Sequence, residues 1–104
     1  MLVCAVNDTV ALAALQAFRE FGLEEECAVA GQDASFQARN EMRRTVGRLI
    51  CSTAYFPENY GNCLVELALH VLNRKPITPA VFTEHQLVTP ENVDKIYPND
   101  SWEN

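Results

Sequence analysis

The chain is poor in basic residues, in glycine and in long apolar runs, and each shortage removes a class of function. Eight Lys and Arg stand against fourteen Asp and Glu, a net charge of −6 over 104 residues. A segment this acidic lacks the positive footprint that grips a phosphate backbone, so no direct nucleic-acid contact is expected of it. No apolar run approaches the roughly 20 residues needed to cross a bilayer, so no membrane insertion is expected either. The four glycines, Gly22, Gly31, Gly47 and Gly61, are too scattered for G-x-G-x-x-G, a P-loop or G-x-S-x-G. Phosphate cradles and hydrolase elbows thereby lose their usual signature. Met1, Leu2, Val3 and Cys4 supply no basic n-region; an export signal, if the protein has one, is expected on sequence upstream.

Cysteine is present without a framework. Cys4, Cys27, Cys51 and Cys63 include no C-x-x-C pair, which argues against a zinc ribbon or a disulfide scaffold. The first three lie in apolar runs, where a thiol behaves as a small hydrophobe, and four unpaired thiols favour a reducing compartment. His70 and His85 match no metal-ligand spacing. Neither a metal nor another cofactor is expected.

What the sequence does contain is a rhythm of strands and helices sized for one core. Leu2 to Val6 is a short apolar run ending in Asn7, Asp8 and Thr9, after which Val10, Ala11, Ala14, Leu15, Phe18 and Phe21 recur at helical spacing up to Gly22. Cys27 to Ala30 repeat the run before Gly31, Gln32 and Asp33, and Ser35 can cap a more polar helix through about Arg44. Leu49 to Phe56 is a third run, closed by Pro57. The helix that follows has Tyr60, Cys63, Leu64, Leu67, Ala68, Val71 and Leu72 on one face, and Pro76 and Pro79 stop it. Ala80 to Val88 is expected as a final strand at a sheet edge, with a short terminal turn after it. The order is β-α-β-α-β-α-β, an α/β fold with a mostly parallel sheet and right-handed crossovers.

In a parallel sheet the strand C-termini all point one way, and ligands bind outside those ends. Asn7 and Asp8, then Asp33, then Tyr55 with Thr53 occupy the three ends. Amides and carboxylates can take paired bonds with neighbouring hydroxyls, and a ring such as Tyr55 can cover the apolar face of a sugar. A carbohydrate site is chemically reasonable. The plainer reading is that Asn7 and Asp8 cap the helix, that Asp33 forms a turn and that Tyr55 packs internally. Arg39, Arg43, Arg44 and Arg48 read as a solvated helix face. A nucleophile at Cys51 or Cys63 would require a thiolate of lowered pKa, and Cys63 with His70 is conceivable, although the helix pattern assigns them to different faces.

The segments "VNDTVALAALQAFREFG", "VAGQD", "STAYFPENYG" and "VTPENVDKIYP", in this order, resemble the C-terminal third of the type I periplasmic-binding-protein and LacI-like superfamily. The resemblance runs from Leu2 to about Pro98. It implies a fragment of a two-lobed fold with a small polar ligand, a sugar above all, held between lobes joined by a three-strand hinge. Residues 1–56 would be part of the C-terminal lobe and residues 57–76 a helix packing on an absent N-terminal lobe. Residues 80–98 would be the return strand and terminal turn, and Met1 an added initiator. Asn7 matches the asparagine of the "ND" strand end and Asp33 the aspartate of the glycine-aspartate turn, with Asp8 beside them. Tyr55 falls where sugar binders often carry glutamine, a departure that would substitute stacking for an amide contact.

No reaction is implied. The expected role is ligand binding in a cytoplasmic LacI-like regulator, preferred on its unpaired thiols, or in a periplasmic or extracellular solute-binding protein of an ABC transporter. The alternatives are a small α/β enzyme with a cysteine nucleophile and an interaction domain without a ligand site. The uncovered apolar face of the long helix predicts a homo-oligomer.

Overall fold

The computed structural model describes residues 1–103, with side chains through Asp100. The chain divides into two compact units, Met1–Ala54 with Gln86–Asn104, and Tyr55–His85.

The first unit is built on a four-stranded sheet of order β1-β2-β3-β4. Strands β1 (Leu2–Cys4), β2 (Ala28–Asp33) and β3 (Leu49–Ala54) are parallel, and β4 (Gln86–Val88) runs antiparallel to β3. Helix α1 (Asp8–Glu20) connects β1 to β2, and α2 (Phe36–Met42) connects β2 to β3. Both crossovers step in the same direction across the sheet, which puts both helices on one face. Burial alternates accordingly. Val29, Gly31, Ser52 and Ala54 are buried, while Ala28, Ala30, Cys51 and Thr53 are only half-buried. Ala11 and Leu15 of α1, Ala38 and Met42 of α2, and Leu49, Val88 and Val93 complete the core.

Local chemistry accounts for the ends of α1. Asn7 has an extended backbone, and its Oδ1 accepts the Val10 N–H at 2.9 Å. At the other end Gly22 takes φ 69°, with its N–H donating to Arg19 O and the Leu23 N–H to Phe18 O. This is a Schellman stop, which needs a residue tolerant of positive φ. Ser35 caps α2 through the Ala38 N–H.

The strands end where the sequence pattern does not. β1 stops at Cys4, short of Val6; β2 continues beyond Ala30 to Asp33; and β3 stops at Ala54, short of Phe56. Of the expected strand Ala80–Val88 only Gln86–Val88 forms. Its sole strand neighbour is β3, whose ladder ends at the Ala54–Gln86 pair, so residues before Gln86 have no strand to pair with.

The basic cluster also differs from a solvated face. Arg39 donates from Nε and Nη2 to the Asp100 carboxylate at 2.6 and 2.9 Å, and its guanidinium lies 4.0 Å from the centre of the Tyr97 ring. Arg43 donates to Asp100 at 2.9 Å and to Asp94 at 2.7 Å. These bonds fasten α4 (Val93–Ile96) and the turn after it to α2. The Asp100 carboxyl is held below the usual carboxylate range, chiefly by the hydrogen bonds from Arg39, with Arg43 adding to them against desolvation.

The second unit holds α3 (Tyr60–Leu72), preceded by a tight turn at Pro57–Asn59 and followed by an irregular segment. None of the residues of α3 is buried, and Leu64, Val65, Leu69, Val71 and Leu72 are each more than half exposed. Arg74 adopts φ 52° where a helix stop favours glycine. No helix among the described residues is long and apolar enough to cross a membrane.

Candidate functional site

The carboxyl end of the parallel sheet is organised around a buried acid. Asp8, the first residue of α1, is 1% exposed. Its Oδ2 accepts the Ser35 N–H at 2.6 Å, and its Oδ1 accepts the Ser52 hydroxyl at 2.6 Å. Ser52, in β3 and fully buried, in turn accepts the Ala34 N–H at 2.9 Å. One carboxylate and one hydroxyl thus tie together the start of α1, the turn after β2 and the middle of β3. Gly31 makes room for the arrangement, since a Cβ at that position would lie 2.3 Å from Asp8 Oδ1.

The turn held by this network is strained. Asp33 and Ala34 have φ 104° and 49°, a region that residues with a Cβ occupy at a cost and that concentrates at functional positions. Ala34 is anchored on both sides, by its N–H to Ser52 and by its carbonyl, which accepts from Arg39 Nη1 at 2.6 Å. Asp33 itself is exposed. The fold therefore fixes the backbone beneath an acid whose side chain faces water.

Asn7 follows the neighbouring strand as the cap of α1. Cys4 pairs with Ala30, and continuing each chain by the same three residues reaches Asn7 and Asp33. Asn7 lies three residues past the end of β1 and Asp33 is the last residue of β2, so both stand toward the carboxyl end of the parallel sheet. The helix cap engages Oδ1 of Asn7, and the N–H donors of the amide are not part of it.

The four residues singled out in the sequence therefore separate. Asn7 and Asp33 both lie toward the carboxyl end of the parallel sheet. Asp8 does not join them as a surface group, because burial and its two donors commit it to the fold. Tyr55 opens the second unit, half-buried, with its ring centre 6.1 Å from that of His85. Ser52 was missed by the sequence pattern, its only signal being a hydroxyl inside an apolar strand.

The cysteines give little support to nucleophilic chemistry. Burial, and secondarily the neighbouring Cys4, pushes the Cys51 thiol up, away from the thiolate a nucleophile requires. Cys63 and His70 line the same groove of the second unit, which corrects their assignment to different faces; seven residues of helix complete nearly two turns. The same spacing separates them by about 10 Å along the axis, too far for a hydrogen bond. Among the described residues no group of three or more His, Cys, Asp or Glu is placed to hold a metal ion.

No family model matches the sequence, and no curated protein matches it. Solved structures do. An ABC transporter solute-binding protein from Bacillus halodurans with bound myo-inositol is 30% identical with a TM-score of 0.78, over 93% of this chain and 33% of that one. A solute-binding protein from Agrobacterium vitis with bound allitol is 17% identical with a TM-score of 0.84, over 94% and 33%. A periplasmic solute-binding protein from Actinobacillus succinogenes with bound D-allose is 22% identical with a TM-score of 0.80, over 90% and 33%. The chain spans about a third of the length of each of these proteins. Its four-stranded, mostly parallel α/β architecture is accordingly a partial fold of the type I periplasmic sugar-binding proteins.

Proposed function

We propose that the chain forms part of a two-lobed binding protein for a sugar or similar polyol, with Asn7 and Asp33 contributing ligand contacts from the C-terminal lobe. The observation that supports this reading is that Asn7, just past β1, and the exposed Asp33, the last residue of β2, both stand toward the carboxyl end of the parallel sheet. One can donate from an amide and the other accept at a carboxylate, the pairing that vicinal hydroxyls use. Asp8 and Ser52 act beneath them by fixing the turn that presents Asp33. Tyr55 is assigned a stacking role against a sugar ring. The polyol and sugar ligands named for the similar structures, myo-inositol, allitol and D-allose, support the ligand class.

A solute-binding protein of a transporter, working outside the cytoplasm, is the reading these similarities favour over a cytoplasmic regulator. The four free cysteines are the observation on the regulator's side. In either role the protein binds rather than transforms its ligand, and residues 57–76 pack on the N-terminal lobe. Ligand would act by shifting the population toward the closed pair of lobes.

Calorimetry of the two-lobed protein against a panel of hexoses, pentoses and cyclitols tests the proposal. Saturable binding of at least one member, weakened by Asn7→Ala about tenfold or more, is expected. A panel without a binder, or a binder indifferent to Asn7→Ala, rejects the assignment.

A further inference from the structure

The turn that presents Asp33 is held at three points, and one of them answers to a residue far along the chain. The Ala34 and Ser35 N–H groups donate to Ser52 and Asp8, both buried in the core. The third hold is Arg39. Its Nη1 donates to the Ala34 carbonyl at 2.6 Å, while Nε and Nη2 donate to the two Asp100 oxygens at 2.6 and 2.9 Å. One guanidinium therefore bridges the turn and an acid 61 residues further on. The centres of the Tyr97 and Phe36 rings lie 4.0 and 5.7 Å from its Cζ, and Arg43 donates to the same Asp100 carboxylate at 2.9 Å. A planar fork with fixed donors passes a displacement of the carboxylate on to the carbonyl, which a flexible point charge would not do. The turn is able to respond, because the positive φ of Asp33 and Ala34 persists only while surrounding contacts over-determine it.

We propose that Arg39 is a positioning residue for the ligand site, and that Asp100 acts through it to set how the turn presents the Asp33 carboxylate. The role of Asp33 in this proposal rests on the sugar reading; the coupling rests on the hydrogen bonds above. Ser52 and Asp8 fix the turn from within the core, whereas Arg39 and Asp100 are half-buried. Through this bridge the segment after α4 becomes part of the binding machinery.

Amide exchange in the 104-residue chain tests the coupling without a ligand. Asp100→Ala removes both acceptors, and Arg39→Lys keeps the charge but loses the fork. Each is expected to speed exchange at Ala34 and Ser35 at least about fivefold relative to the Ala11 amide of α1, a local opening of the turn. Unchanged relative exchange in either variant overturns the proposal. Calorimetry of the proposed two-lobed protein then tests the positioning, with whichever of myo-inositol, allitol and D-allose binds most tightly. Each variant should weaken binding at least about fivefold, and should have little further effect in an Asp33→Ala background, where the carboxylate it positions is gone. Unchanged affinity, or an equal loss in both backgrounds, would mark Arg39 and Asp100 as structural only and overturn it. If none of the three ligands binds, or Asp33→Ala alone leaves affinity intact, the sugar reading fails and the exchange rates by themselves decide the coupling.

Discussion

Ser52→Ala is the sharpest perturbation of the latch beneath Asp33. The Ser52 hydroxyl donates to Asp8 Oδ1 at 2.6 Å and accepts the Ala34 N–H at 2.9 Å, in a setting where Ser52, Ala34 and Asp8 are all buried. Alanine removes both bonds while keeping the Cβ, so the backbone has no steric reason to move. The space left by a hydroxyl is too small for a replacement water. An unsatisfied buried N–H costs about 1–3 kcal/mol, and a carboxylate oxygen that loses a donor costs at least as much, for a sum of about 3 kcal/mol. With a urea slope of about 1.5 kcal/mol/M, the midpoint should fall by about 2 M, or the chain should be largely unfolded in buffer if it starts near the low end of stability. Far-UV circular dichroism in a urea series, with amide exchange at Ala34 as the local reporter, reads both effects. A loss under about 1 kcal/mol, with the Ala34 amide as protected as before, would refute the reasoning.

Four further outcomes follow from the same geometry. Gly22→Ala should destabilise by about 1 kcal/mol in the same denaturation assay, a backbone cost alone, since nothing lies within 4 Å of the added Cβ. Arg74→Gly should do the reverse, gaining up to about 1 kcal/mol by relieving a positive φ at the end of α3. Asp100 titrates lower in the folded protein than in the unfolded chain because Arg39 and then Arg43 bond its charged form. Its contribution is therefore complete above its unfolded pKa, about 3.9, and is lost as pH falls through the lower folded value; acid titration of Asp100→Asn should lack this component. Sedimentation of the 104-residue chain at micromolar concentration should show self-association through the exposed face of α3, and a compact monomer would contradict it.

What the sequence made legible was local. Asn7 before an apolar helix, Gly22 after it and Ser35 before the next helix are signals contained within a few residues, and each cap forms. The alternation of apolar runs with helices was enough for a mostly parallel sheet, because right-handed crossovers leave few arrangements. Contacts that depend on register were not legible. Asp8 lies among ligand candidates by sequence, yet it meets Ser52, forty-four residues away, only once β3 is in register with β2. Arg39 and Arg43 read as solvated because Asp100 is far along the chain. Ala80 to His85 carry enough apolar residues for a strand, but strand formation also requires a neighbour, and the β3 ladder ends at the Ala54–Gln86 pair.

The central claim is that a strained, latched turn presents the Asp33 carboxylate to a polyhydroxyl ligand. Titration of the proposed two-lobed protein with whichever sugar or polyol it binds best, comparing wild type with Asp33→Ala, tests it most directly, since the Asp33 side chain is exposed. The account predicts affinity reduced by about tenfold to a hundredfold, the loss of hydrogen bonding to a charged acceptor, with thermal stability nearly unchanged. Full affinity in the alanine variant would contradict it.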